Sequence, residues 1–206
     1  MVLEDETCRL DRRRQAIILA ARNLFFDQGY ERTTLSHIVR IAGGSLATIY
    51  KLFGNKDGLL EAVVSENVAS GEALIRSAAG SEISPSRTLH HLAEELSAQF
   101  LDPEVVALVR IVMARSISDP EFARRFFERT ATKTRDALEW LFEKWQANGI
   151  AMDGSPEFLA GMFMGPFVGD LHTEAISHGA GFTHRPDSLR ARTDFFIKAA
   201  GLSLGG

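Results

Sequence analysis

Apolar positions recur at three-to-four spacing along nearly the whole chain. Ala16, Ile17, Ala20, Ala21, Leu24 and Phe25 form one stripe, and Gly29 supplies a stop behind it. Thr34 suits the cap of a second helix with Leu35, Ile38, Val39 and Ala42 on one face, broken by Gly43-Gly44. Ser45 suits the cap of a third, which turns Ile49 and Phe53 inward and ends at Gly54-Asn55. Lys56-Asp57 opens a fourth helix that reaches about Ala79. Further helical stretches are predicted over 87–101, 103–117, 120–148, 156–178 and 187–202. Pro103, Pro120 and Pro156 each stand at a first helical position, where the missing N–H costs nothing. No strand-like alternation of useful length appears. The pattern predicts an all-α fold of about nine helices. An N-terminal three-helix domain with a helix-turn-helix is expected over 9–56, and a larger helical domain over 57–206.

Charge sharpens this division. The chain of 206 residues carries a net charge of −4, which by itself argues weakly against a nucleic-acid partner. The distribution points the other way. Between Arg9 and Lys56 nine Lys/Arg stand against three acids, net +6, whereas residues 57–206 carry net −7. A basic block joined to an acidic body is expected where one end meets phosphate. Arg9 and Arg12 to Arg14 read as a basic arm ahead of the first helix, able to track phosphate or equally to be a solvated turn. The longest apolar run, Phe158 to Val168, has 11 residues, short of the roughly 18 a membrane helix needs. The N-terminus has no apolar leader core, and Cys8, the one cysteine, allows no internal disulfide. A cytoplasmic protein without a membrane partner is expected.

The most informative stretch runs from Thr33 to Leu60. With Ile49 and Phe53 inward, at about 100° per residue, the opposite face of the third helix holds Gly44, Ala47, Thr48 and Lys51, with Tyr50 on the flank. That face is short and small, as entry into a major groove about 12 Å wide requires. AGGSLATIYKLFGNKDGLL resembles the signature of the TetR family of regulators at Ala42, Gly43, Ser45, Thr48, Tyr50, Phe53, Lys56, Leu59 and Leu60. Upstream, Ala20, Leu24, Phe25, Gly29, Tyr30, Thr33, Thr34 and Ile38 also fall where that family places them. The resemblance implies a dimeric regulator that binds palindromic double-stranded operator DNA and is released by a small-molecule effector. It implies DNA contacts at Thr33, Thr34, Gly44, Ser45, Ala47, Thr48, Tyr50, Lys51 and Lys56, with Thr34, Tyr50 and Lys56 on phosphates. Gly44 departs from the family's usual valine, Leu46 from a frequent polar residue, Leu52 from tyrosine or histidine, and His37 from the acid of a capping box. These departures leave the operator sequence open.

The acidic body from Asp119 to Gly149 resembles the AefR-like subgroup of that family. Candidate effector-pocket residues are Met113, Phe122, Phe126, Trp140, Leu141, Met162, Phe163, Met164 and Phe167, large and adaptable side chains that suit a core equally well. They would favour a hydrophobic or aromatic effector. Gly161, Gly165 and Gly169 recur at spacing four around Pro166, which is expected to kink the helix, and the last helix offers Phe195, Phe196 and Leu202. The glycine face suits a dimer seam or a pocket wall, and the family resemblance implies a dimer seam in these last two helices. His172, His178 and His184 are six apart, where a helical metal site prefers three or four. Neither metal nor cofactor is expected. The sequence holds no nucleophile elbow, phosphate loop or paired cysteines, so an enzyme is not expected. Two other readings stay open: an α-helical small-molecule enzyme, and a ligand-independent DNA-binding recruiter.

Overall fold

The computed structural model describes residues 2–80, 83–180 and 186–203, so His184 lies outside the described residues. Among them the fold is all-α. The elements are α1 (Val2–Gln28), α2 (Leu35–Ala42), α3 (Leu46–Phe53), α4 (Lys56–Ala78), α5 (Pro85–Phe100), α6 (Pro103–Ser118), α7 (Pro120–Phe126), α8 (Lys133–Ala147), α9 (Pro156–Ser177) and α10 (Pro186–Ala199). A turn of π-helix, Phe127–Ala131, joins α7 to α8. Counted as one interrupted run, α7 to α8 leaves nine helices among the described residues.

Two predicted elements differ. The arginine arm is not a separate segment, because α1 begins at Val2 and carries Arg9 and Arg12 to Arg14 within it. Residues 2–15 contain neither Pro nor Gly, so nothing breaks the helix. The single helix expected over 120–148 is interrupted at RTATKT. Its β-branched threonines offer the backbone competing hydrogen bonds, and Thr130 and Thr134 turn inward. By contrast α9 runs through Pro166 from Pro156 to Ser177.

The chain forms two compact units. The first comprises Met1–Asn67 and Ile111–Phe126, the second Val68–Arg110 and Phe127–Gly206. The division expected at residue 56 therefore differs from these bounds. The first unit extends along α4 to Asn67 and also takes in the end of α6 and all of α7. Its core is Ile17, Ile18, Ala21, Phe25, Ile38, Ile49, Leu59 and Leu60, all essentially closed to solvent. Each such large side chain contributes about 1.5–3 kcal/mol of burial. In the second unit, α5 supplies Leu89, Leu92 and Leu96, α8 supplies Leu138, Leu141 and Phe142, and α9 and α10 add Ala160, Phe163 and Ile197. Phe196 closes this core against Phe163 and Phe142, at ring distances of 5.1 and 6.1 Å.

Candidate nucleic-acid interface

The helix-turn-helix is built on two side-chain caps. Thr34 Oγ1 accepts from the His37 N–H at 3.2 Å and starts α2. Ser45 Oγ accepts from the Thr48 N–H at 3.2 Å and starts α3, and its hydroxyl also meets that of Thr48 at 3.0 Å. Each bond satisfies a donor that the helix end leaves open. Between them Gly43 and Gly44 have φ of 74° and 98°, the region where a side chain is strained. Glycine takes this backbone freely at both positions. Instead of completing a capping box, His37 Nδ1 lies 3.2 Å from Gln28 Nε2.

The α3 face opposite buried Ile49 is open. Gly44, Ser45, Ala47, Tyr50 and Lys51 are exposed and Thr48 is partly exposed. Tyr50 is 55% exposed, an aromatic ring without a core partner. Leu46 and Ile41 are also exposed, so an apolar rim borders this face. Thr34 is exposed at the start of α2. Thr33, by contrast, is turned inward. It is only 1% exposed, donates to the Gly29 carbonyl at 2.8 Å and accepts from Gln28 at 3.1 Å. Its hydroxyl ties down the α1–α2 connection.

Lys56 stands over the Tyr30 ring, its Nζ 4.0 Å from the centroid, and donates to the Glu31 carbonyl at 3.4 Å. Burial lowers its pKa from the usual lysine value. The Tyr30 hydroxyl donates to Asp57 Oδ1. Arg115 grips the same carboxylate with two bonds, 3.1 and 2.8 Å, and reaches Asp119 at 3.3 Å. Burial works to raise the Asp57 carboxyl, but the bonds from Arg115 and Tyr30 outweigh it and hold it below its ordinary value. Burial and the Asp57 hydrogen bond push the Tyr30 phenol far upward. These groups form a network under Lys56, all within the first unit. Sequence reasoning missed it, because Arg115 is 58 residues from Asp57 and no motif marks it. Gly58 was missed as well. A Cβ there would collide with the Phe53 carbonyl at the end of α3, so glycine sets the close joint between α3 and α4.

The nine pocket candidates are divided between the two units. Met113, Phe122 and Phe126 fall in the first unit, where buried Phe122 and Phe126 stack at 5.9 Å as core. The remaining six fall in the second. There Leu141, Phe163, Met164 and Phe167 are buried in the core. Trp140 lies at its edge, with Arg76 at 4.7 Å and Lys144 at 5.6 Å from the ring. Met162, Phe163 and Phe167 border a crevice of about 20 Å³ beside Phe196. That is far below the roughly 300–1,000 Å³ of a ligand pocket. No cluster of metal-ligating side chains occurs among the described residues. Nor is any helix among them long and apolar enough to cross a membrane.

A capped helix-turn-helix with an open, cationic second helix, set in an all-α chain, defines a DNA-binding regulator of transcription. Comparison with known proteins supplies the family. Residues 17–63 match the bacterial regulatory proteins of the tetR family, and residues 87–192 match the C-terminal domain of AefR-like transcriptional repressors. The chain belongs to the TetR family, and within it to the AefR-like subgroup. It is 28% identical over 148 residues to the HTH-type transcriptional repressor Rv1474c of Mycobacterium tuberculosis, covering 68% of this chain and 71% of that one. The matched stretch spans only 22%, 26% and 34% of three further curated regulators. Among solved structures, a TetR-family regulator from Mesorhizobium loti superposes with a TM-score of 0.75 at 25% identity, covering 93% of this chain and 96% of that one. The flavonoid-responsive regulator FrrA superposes with a TM-score of 0.62 at 28% identity, covering 92% and 97%.

Proposed function

We propose that this regulator is a dimeric repressor that grips a palindromic operator and is released by an apolar, aromatic small molecule. The observation that carries the DNA reading is the exposed face of α3, small-residued and cationic, opposite a fully buried Ile49. Ala47, Thr48 and Lys51 face base edges, with a thymine methyl suited to Ala47 and a guanine or phosphate to Lys51. Ser45, Gly44 and Thr34 lie close to the backbone, and Tyr50 and Lys56 take phosphates. A protein with this role acts in the cytoplasm, and it is not an enzyme.

Dimerisation finds support on α9. Phe158, Gly161, Met162, Gly165, Gly169 and Ile176 are all exposed, and space is open beyond each of the three glycines. On α10, Phe195 is 73% exposed. A second copy covering these faces would set two recognition helices about one DNA turn apart. Support for an aromatic effector comes from FrrA, a flavonoid-responsive regulator by name, and from the aromatic residues of the second unit. α4 runs unbroken from Lys56 to Ala78 and offers a path for coupling effector to operator.

The test is binding of the purified protein to duplexes from upstream of its own and neighbouring genes, across a salt series, with and without a flavonoid. Salt-dependent binding that the ligand weakens is expected. Absence of salt-dependent binding would overturn the regulator reading. Tight binding unmoved by any small hydrophobic ligand would favour a ligand-independent recruiter.

A further inference from the structure

The N-terminal part of α1 lies beside the recognition helix, and the two enclose a groove of about 680 Å³. Arg9, Arg12 and Arg13 line it from α1, and Gly44, Thr48 and Lys51 from α3 and its leading turn. Among the described residues the lining holds four cations and no acid. We propose that this groove holds a stretch of DNA phosphate backbone alongside the recognition helix, with Arg9, Arg12 and Lys51 as its ligands and Arg13 as the positioning residue. The proposal rests on the DNA-binding reading and extends its contact surface beyond the helix-turn-helix.

Arg13 makes the groove. Its Nη1 donates to the Ala42 carbonyl at 2.9 Å, at the last residue of α2, where the helix leaves an acceptor open. The side chain lies against the glycine pair of the turn. A Cβ at Gly43 would stand 3.1 Å from Arg13 Nη1, and one at Gly44 would stand 3.5 Å from Arg13 Cδ. Both glycines adopt the positive φ of the turn, and Gly43 is the one at which an added Cβ would press on the arginine that joins α1 to it.

With Arg13 committed to the turn, the other cations remain for an anion. Arg9 and Lys51 are exposed. Among the described residues Arg12 reaches Cys8 of its own helix, at 3.4 Å to the carbonyl and 3.3 Å to Sγ, long bonds that a phosphate would readily replace. Four like charges in one open groove repel one another until an anion neutralises them. Arg9 and Arg12 stand three residues apart, about 4.5 Å of helix rise, while one strand of a duplex presents a phosphate every ~3.4 Å of axis. A polyanion thus matches the groove better than one small anion. Because Thr48 and Lys51 belong both to the groove and to the open face of α3, the strand held here would border the bases that α3 reads.

The test measures affinity by fluorescence anisotropy, for an operator duplex and a scrambled duplex, between about 50 and 200 mM salt. The double variant Arg9→Ala/Arg12→Ala removes only exposed side chains, and its fold is checked by thermal melting. Expected is a log–log salt slope smaller by about one to two, with affinity for both duplexes lowered by a similar factor of about ten. Arg9→Lys/Arg12→Lys should keep the slope. Arg13→Ala should weaken operator binding more than scrambled binding, and Arg13→Lys should restore part of the difference. An unchanged slope in the double alanine variant, while the wild type binds DNA with salt dependence, overturns the groove alone. A wild type that shows no salt-dependent binding overturns the regulator reading instead.

Discussion

The exposed faces of α3 and α9 are alike in one respect and opposite in another. Both are poor in bulk. Gly44, Ala47 and Thr48 lie on the first, and Gly161, Gly165 and Gly169 on the second. Small side chains let another surface come close, whatever that surface is. Charge then selects the partner. Lys51 and the α1 arginines surround the α3 face, whereas exposed α9 positions from Phe158 to Gly169 carry no charge and include Phe158 and Met162, 58% and 53% exposed. One face therefore suits a polyanion and the other a second copy of the same chain. Neither difference is visible in helix content; it lies in what surrounds the glycines.

The sharpest way to break this contrast is to place a charge on the apolar side. Phe195→Glu should weaken self-association at least ~30-fold and lower operator affinity with it, since a monomer reads one half-site. Sedimentation across a concentration series reads this directly, and an unchanged mass would remove the seam from α10. On the cationic side, Tyr50→Ala should cost about 10–100-fold in operator affinity while leaving the dimer and its melting intact, because that ring has no core to lose. Retained affinity would sink the proposed docking of α3.

Smaller effects probe what holds the α3 face in place. Gly58→Ala should destabilise the protein by about 1–3 kcal/mol in urea, as the new methyl meets the Phe53 carbonyl. An unaltered midpoint would mean that the α3–α4 joint yields freely. The smallest expected change concerns acid. Asp57 is held below its ordinary value, so its contribution is full above the unfolded carboxyl value of about 3.9 and is lost as pH falls through the lower folded value. Asp57→Asn should be less stable than the wild type near neutrality and should lose less stability between pH 5 and pH 3, as flagged by roughly parallel urea series at each pH. Identical pH profiles for the two proteins would show that the Arg115 network adds nothing to stability.

Much of the interface was legible in the sequence because its determinants are local. Thr34 and Ser45 act on donors three residues away, and both caps form where the pattern placed them. Ile49 faces inward because apolar spacing puts it there. Thr33 misled for the opposite reason. It neighbours an exposed cap, but the α1–α2 connection turns its side chain into the protein. The pocket candidates raise a different question. A large apolar side chain reads the same in a core and in a cavity, so the burial of Phe122, Leu141 and Phe163 had no distinguishing mark.

The sequence by itself determined an all-α fold, the bounds of the helix-turn-helix, its two caps and three of the five described helices that open on proline. These depend on bonds and periodicities within a few residues. Only the tertiary structure decided that Arg13 fastens α1 to the turn 29 residues away, that Arg115 holds Asp57 beneath Lys56, and that Gly58 admits the end of α3. Those choices depend on which surfaces meet. A guanidinium carries no mark of the carbonyl or carboxylate it will find until packing brings the two together.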